Sequence, residues 1–86
     1  MEDAGLLKRY AANRDANAFA ELVRRYAGMV YGTSLRLTKN EHDAEDVAQE
    51  CFLELARNAN SITASLPGWL HKVTRRRMID FLRKSS

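Results

Sequence analysis

NEHDAEDVAQECFLELARN, residues 40–58, decides the fold. Asn40 suits an N-cap, because its short side-chain oxygen can accept an amide proton from the first turn. Glu41 and Asp43 come next, where negative charge complements the positive end of a helix dipole. Ala44, Val47, Ala48, Cys51, Phe52 and Leu55 recur in steps of three and four, which makes one inward stripe. The outward face is acidic or amide, with Asp46, Gln49 and Glu50 on it. Leu53 falls on that outward face, about 100° from the nearest edge of the stripe at roughly 100° per residue. Single exposed leucines are common, so this one is a pointer and not yet a site.

Upstream, the same periodicity continues. One helix is expected over about 3–12, with Asp3 as its cap and Leu6, Leu7 and Tyr10 as its apolar stripe. Asn13-Arg14-Asp15 then breaks it. A second helix is expected over about 15–38, where Phe19, Leu22, Val23, Tyr26, Val30, Ser34 and Leu37 share a face. Gly28 and Gly32 lie inside this run and each costs about 1 kcal/mol relative to alanine, so close helix packing or a bend is expected there.

Downstream, NANSITAS, residues 58–65, reads as a polar loop. Ser65 can cap the last helix, and Pro67 suits its first turn, where the missing N–H costs nothing. That helix is expected over about 67–84, with Leu66, Leu70, Val73, Thr74 and Phe81 pointing one way. Lys72, Arg75, Arg76 and Arg83 cluster on the opposite side, within about 100° of arc. Asp80 stands four residues after Arg76, at the spacing of a surface pair. Arg77 falls near the apolar stripe, so it must snorkel or answer an acid from a neighbouring helix. The third helix, over about 41–58, completes a compact all-α domain of four helices.

Composition bounds the rest. The 86 residues suffice for one small domain. Hydrophobic residues make up 45%, a globular share, and one proline with four glycines favours long helices over a many-stranded sheet. Cys51 is the single cysteine, which excludes an internal disulfide and suits a reducing compartment. No apolar run approaches the ~18 residues of a membrane span, so no membrane partner is expected. The opening MEDAGLLKRY lacks an apolar signal core, and a cytoplasmic location is expected.

The net charge of +3 conceals an uneven distribution. Residues 41–54 hold six acids and no Lys or Arg, whereas residues 66–86 hold six bases against Asp80 alone. Two blocks of opposite sign suggest two different partners, although each could also be a solvated surface. Catalysis is not expected. His42 and His71 sit on different helices, without a Cys/His/Asp cluster at metal-ligand spacing, so neither a metal nor a cofactor is expected. Cys51 lies on the inward stripe and reads as core. The basic helix can meet phosphates, and the Asn-, Ser- and Thr-rich loop can hydrogen-bond a base edge. Trp69 lies at the boundary of the basic and apolar faces, where it can either stack on a base or pack in the core.

With these motifs in hand, a resemblance emerges. DAEDVAQECFLEL, residues 43–55, resembles the acidic helix of region 2 in extracytoplasmic-function sigma factors of the sigma-70 family. GWLHKVTRRRMIDFLR, residues 68–83, resembles the family helix that opens on Trp-Leu and closes on Ile-Asp-x-Leu-Arg. LLKRYAANRDANAFAELVRRYAGMVYGTSLRLT, residues 6–38, is similar to the family's first two helices. The resemblance covers nearly all of the chain. It implies that the acidic helix docks on the β′ clamp helices of core RNA polymerase through Asp46, Gln49, Glu50 and Leu53, with Glu45 at the edge. Leu53 then becomes an apolar anchor in a charged rim. It implies that the loop, through Asn58, Asn60, Ser61 and Thr63, captures a base flipped out of the −10 promoter element. It assigns Lys72, Arg75, Arg76 and Arg83 to promoter DNA, with Trp69 beside them.

The chain departs from the family in places. Arg75-Arg76-Arg77 stands where Arg-Asn-Leu is frequent, so no base contact is carried over at Arg76 and no core packing at Arg77. His71 stands where Tyr is frequent. The family's second domain, a helix-turn-helix reader of the −35 element, is not in this sequence, which is expected to be an excised domain. The implied function is non-catalytic: polymerase binding, and recognition and melting of the −10 element. An anti-sigma factor is a further candidate partner. The alternative from another class is a helical adaptor that binds protein and leaves its basic face in water.

Overall fold

Two left-handed residues divide the chain. In the computed structural model, which describes residues 2–63 and 65–85, Arg14 at φ 51° and Lys39 at φ 56° each end a helix. Their backbone N–H groups reach back to the Tyr10 and Leu35 carbonyls, both at 2.8 Å, which satisfies last-turn acceptors. The helices are α1 (Asp3–Asn13), α2 (Ala16–Thr38), α3 (Glu41–Asn58) and α4 (Leu66–Ser85), with a 3₁₀ turn over Ala59–Ser61. The bounds lie within a residue or so of those read from periodicity.

The caps differ in one respect. Asp15 caps α2 by accepting from the Asn17 and Ala18 amides at 3.0 and 3.2 Å, and Asn40 caps α3 by accepting from the Asp43 amide at 3.1 Å. Asp3, expected to cap α1, does not. Glu2 occupies that position without a side-chain cap, and Asp3 is the first helical residue. Its carboxylate instead receives Arg25 Nη1 at 3.0 Å and the Tyr26 hydroxyl, which fastens α1 to α2.

The core runs through all four helices. Leu22, Val30, Cys51, Leu55, Leu70 and Met78 are fully buried, and Leu6, Leu7, Val47, Leu66 and Val73 join them. α3 packs along α2 and α4, while α1 lies against α2 and the 3₁₀ turn. Among the described residues, two polar side chains are buried and satisfied. Ser34 Oγ donates to the Val30 carbonyl at 2.7 Å, and Thr74 Oγ1 donates to the Leu70 carbonyl at 2.6 Å. Cys51 Sγ donates to Thr74 Oγ1 at 3.6 Å, and burial pushes its thiol pKa up. Cys51 is therefore packed as a core residue.

Three expectations change. Leu37, expected on the α2 stripe, is 53% exposed near the helix end, whereas Met78, which the α4 stripe omits, is fully buried. A Cβ built at Gly28 or Gly32 meets nothing within 4 Å, so neither glycine serves close helix packing. The loop expected over 58–65 is shorter, because Asn58 ends α3 and Ala59 is buried in the 3₁₀ turn. Ala64 of that loop lies outside the described residues.

Candidate functional site

The outward face of α3 divides between two neighbours. Glu45, Asp46, Gln49, Glu50 and Leu53 are all exposed. Glu45, Gln49 and Leu53 border a groove of about 610 Å³ between α2 and α3. Phe19, Val23, Ala27 and Tyr31 form its α2 wall, and Ala48, Phe52 and Ala56 its α3 wall. Leu53, 48% exposed, is thus the outer lip of an apolar groove rather than an isolated leucine among acids. Asp46 and Glu50 face the other way, into a crevice of about 260 Å³ shared with Arg77, Asp80, Phe81 and Lys84 of α4.

The α2 wall is not among the surfaces expected from sequence. The core stripe takes in Phe19 and Val23 and leaves Ala27 and Tyr31 without a role. A signal is nonetheless present: residues 19, 23, 27 and 31 succeed one another at intervals of four, a second apolar row beside Leu22, Tyr26 and Val30. Phe19 is fixed by Tyr10 of α1, with ring centroids 4.8 Å apart. Arg14 covers the other partner, its guanidinium 5.0 Å from the Tyr10 ring centroid while Nη1 donates to the Ala56 carbonyl at 3.0 Å. One arginine in the α1–α2 turn therefore anchors the end of α3 that carries Leu53.

The basic helix also sorts into groups. Lys72 and Arg75 are exposed, and among the described residues neither takes an acid partner. Arg83 is exposed as well. Arg76 is different. Its expected partner is Asp80 on the same helix, but its Nη2 instead donates to Glu54 of α3. Arg77 answers the neighbouring helix too, with Nε on Glu54 at 3.1 Å and Nη1 on Glu50 at 3.7 Å. Burial alone would raise the Glu54 pKa. The hydrogen bonds from Arg77 and Arg76 outweigh it and hold the carboxyl below its ordinary value. The Glu54 bond holds the Arg77 guanidinium above its own ordinary value. This junction joins the acidic and basic helices, and nothing in the sequence pattern singles out Glu54 for it.

The loop residues divide as well. Asn58 does not present its amide outward, since Nδ2 donates to the Glu54 carbonyl at 2.8 Å as part of the last α3 turn. Asn60, Ser61 and Thr63 are exposed. Asn60 and Thr63 border a groove of about 920 Å³ between α1 and the loop, together with Leu7, Lys8, Ala11 and Pro67. Ser61 is not on that border. Trp69 is partly buried against the core. No helix among the described residues is long and apolar enough to cross a membrane.

The sequence matches known proteins. Residues 22–86 match the family model for sigma-70 region 2. The ECF RNA polymerase sigma factor SigE of Mycolicibacterium smegmatis is 42% identical over 65 residues, covering 74% of this chain and 25% of that protein. SigW of Bacillus subtilis, also an ECF RNA polymerase sigma factor, is 36% identical over 72 residues, covering 81% of this chain and 38% of its own length. SigK of Mycobacterium tuberculosis, of the same description, is 34% identical over 84 residues, covering 94% and 45%. The chain thus spans between a quarter and a half of the length of these relatives. Four helices in this order, an acid-and-amide face on α3, a basic α4 and a family match over three-quarters of the sequence lead to one conclusion: the chain belongs to the sigma-70 region 2 family and is a region 2 domain of the extracytoplasmic-function type.

Proposed function

We propose that this domain joins core RNA polymerase to promoter DNA during transcription initiation and performs no chemistry of its own. α3 docks on the β′ clamp helices through Glu45, Asp46, Gln49, Glu50 and Leu53. Leu53 and the apolar groove beside it supply area for burial, and the polar residues form the rim. α4 lies against DNA through Lys72 and Arg75, with Arg83 further along the helix. The groove beside Asn60 and Thr63 receives a base unstacked from the −10 element. Capture of that base offsets part of the few kcal/mol that opening costs, so melting is driven by binding energy rather than by hydrolysis.

One observation carries the reading. The apolar groove of α2 and α3 and the Lys72–Arg75 face of α4 are both open to solvent, while Arg76 and Arg77 between them are paired with Glu54 and Glu50. Two surfaces of different chemistry can then be occupied together.

The test has two arms. Core polymerase should be retained by the immobilised domain, and retention should fall when Gln49 and Leu53 are replaced by alanine. Polymerase loaded with Lys72→Ala/Arg75→Ala should be retained as before but should open promoter DNA poorly. An adaptor that binds only protein would pass the first arm and leave opening unaffected in the second.

A further inference from the structure

Glu54 stands where the two proposed surfaces meet, and its geometry is one-sided. Its side chain is only 15% exposed, and it takes both Arg77 and Arg76. Arg77 has a second acid in Glu50 at 3.7 Å, and its own side chain is 31% exposed. Arg76 is 56% exposed, and among the described residues Glu54 is its only acid partner. Burial therefore does not dictate where the Arg76 guanidinium goes, and Glu54 does. To meet a phosphate, Arg76 would have to abandon Glu54 and leave a largely buried carboxylate short of a partner, which is unfavourable.

We propose that Glu54 is a positioning residue for DNA binding: it holds Arg76 against α3 and keeps that cation out of the set that contacts phosphate. The proposal rests on the reading that α4 faces DNA. Its consequence is specific. Each phosphate contact adds affinity for any DNA sequence alike. Withholding one cation lowers indiscriminate binding while Lys72 and Arg75 remain available. Three consecutive arginines thus contribute one outward cation and two that secure the helix pair.

The contact count can be read from salt. The log of the binding constant falls with log salt by about 0.7–0.9 per phosphate contact, and one extra contact is worth roughly five- to eightfold in affinity at about 0.1 M salt. The experiment measures binding of a mixed-sequence fork oligonucleotide to the domain loaded on core polymerase, across a salt series. Variants are Arg76→Gln, Glu54→Gln, the double variant, Glu54→Asp and Lys72→Ala/Arg75→Ala, with melting curves for each. Arg76→Gln alone should leave the slope unchanged. Glu54→Gln should steepen it by about 0.7–0.9 and raise affinity roughly five- to eightfold at about 0.1 M salt. Adding Arg76→Gln should cancel that gain, and Glu54→Asp should behave as the parent does.

A reduced slope for Arg76→Gln in the parent would mean that Arg76 already meets phosphate, and would overturn the proposal. So would an unchanged or shallower slope for Glu54→Gln in a variant that melts normally. An unchanged slope in Lys72→Ala/Arg75→Ala would instead overturn the DNA-facing reading of α4 itself, and the proposal with it.

Discussion

Leu53 and Leu55 are two residues apart on α3, and truncating each should have opposite consequences. Leu53 is 48% exposed and Leu55 is fully buried. Leucine to alanine removes the equivalent of about three methylene groups, worth about 2.4 kcal/mol if all are taken out of water at ~0.8 kcal/mol each. For Leu53 about half of that surface is still wet in the free domain. Docking would bury it, so Leu53→Ala should weaken polymerase binding by about 1.2 kcal/mol, roughly eightfold in Kd. The half already buried limits the loss of fold stability to about 1 kcal/mol. Leu55→Ala loses the whole transfer term and leaves a cavity as well, so it should cost about 2–5 kcal/mol of fold stability. In a domain of this size each kcal/mol lowers Tm by about 4–8 °C, so the two variants are readily separated by thermal melting. Binding is measured by fluorescence titration of labelled domain into core polymerase, at a temperature where both variants remain folded. Leu55→Ala should then bind nearly as the parent does, because its side chain never reaches the surface. Unchanged polymerase affinity for Leu53→Ala would refute the anchor role. A larger binding defect in folded Leu55→Ala would refute the assignment of faces.

Two further outcomes rest on local geometry. Gly28 is exposed and helical, without a positive φ, and has open space where a Cβ would stand. Gly28→Ala should therefore stabilise the domain by about 1 kcal/mol, and a lower Tm would contradict the geometry. Glu21 accepts hydrogen bonds from Arg24 and Arg25, which lower its pKa from 4.5 to about 2 in the folded chain. The unfolded chain then binds the proton more readily, so the stability from this group is present above about pH 4.5 and is lost as pH falls toward about 2. Melting curves of Glu21→Gln should show a shallower decline across that window than the parent, and an equal decline would exclude Glu21 as a contributor.

Much of the fold is legible in the sequence because a helix declares itself locally. A step of three or four residues fixes the angle of each side chain about its own axis, so Cys51 and Leu55 turn inward and Gln49 and Leu53 outward whatever lies opposite. Asn40 as a cap needs only the turn after it. The basic block on α4 is equally visible, as is the resemblance that implies roles for α3 and α4.

Periodicity says nothing about how far one helix is shifted or rotated against the next. That decides the fates of Arg76 and Arg77. Arg76 has a partner at the proper spacing in Asp80, yet a carboxylate from α3, shielded from water at the helix contact, takes it instead. The groove beside Leu53 needs α2 laid next to α3 before its two apolar rows can form opposite walls. Sequence alone determined which face each helix turns toward its neighbours, because that is a property of one stretch of backbone. Only tertiary packing determined which charges are spent between helices and which remain for a partner, because that depends on distances between residues more than twenty positions apart.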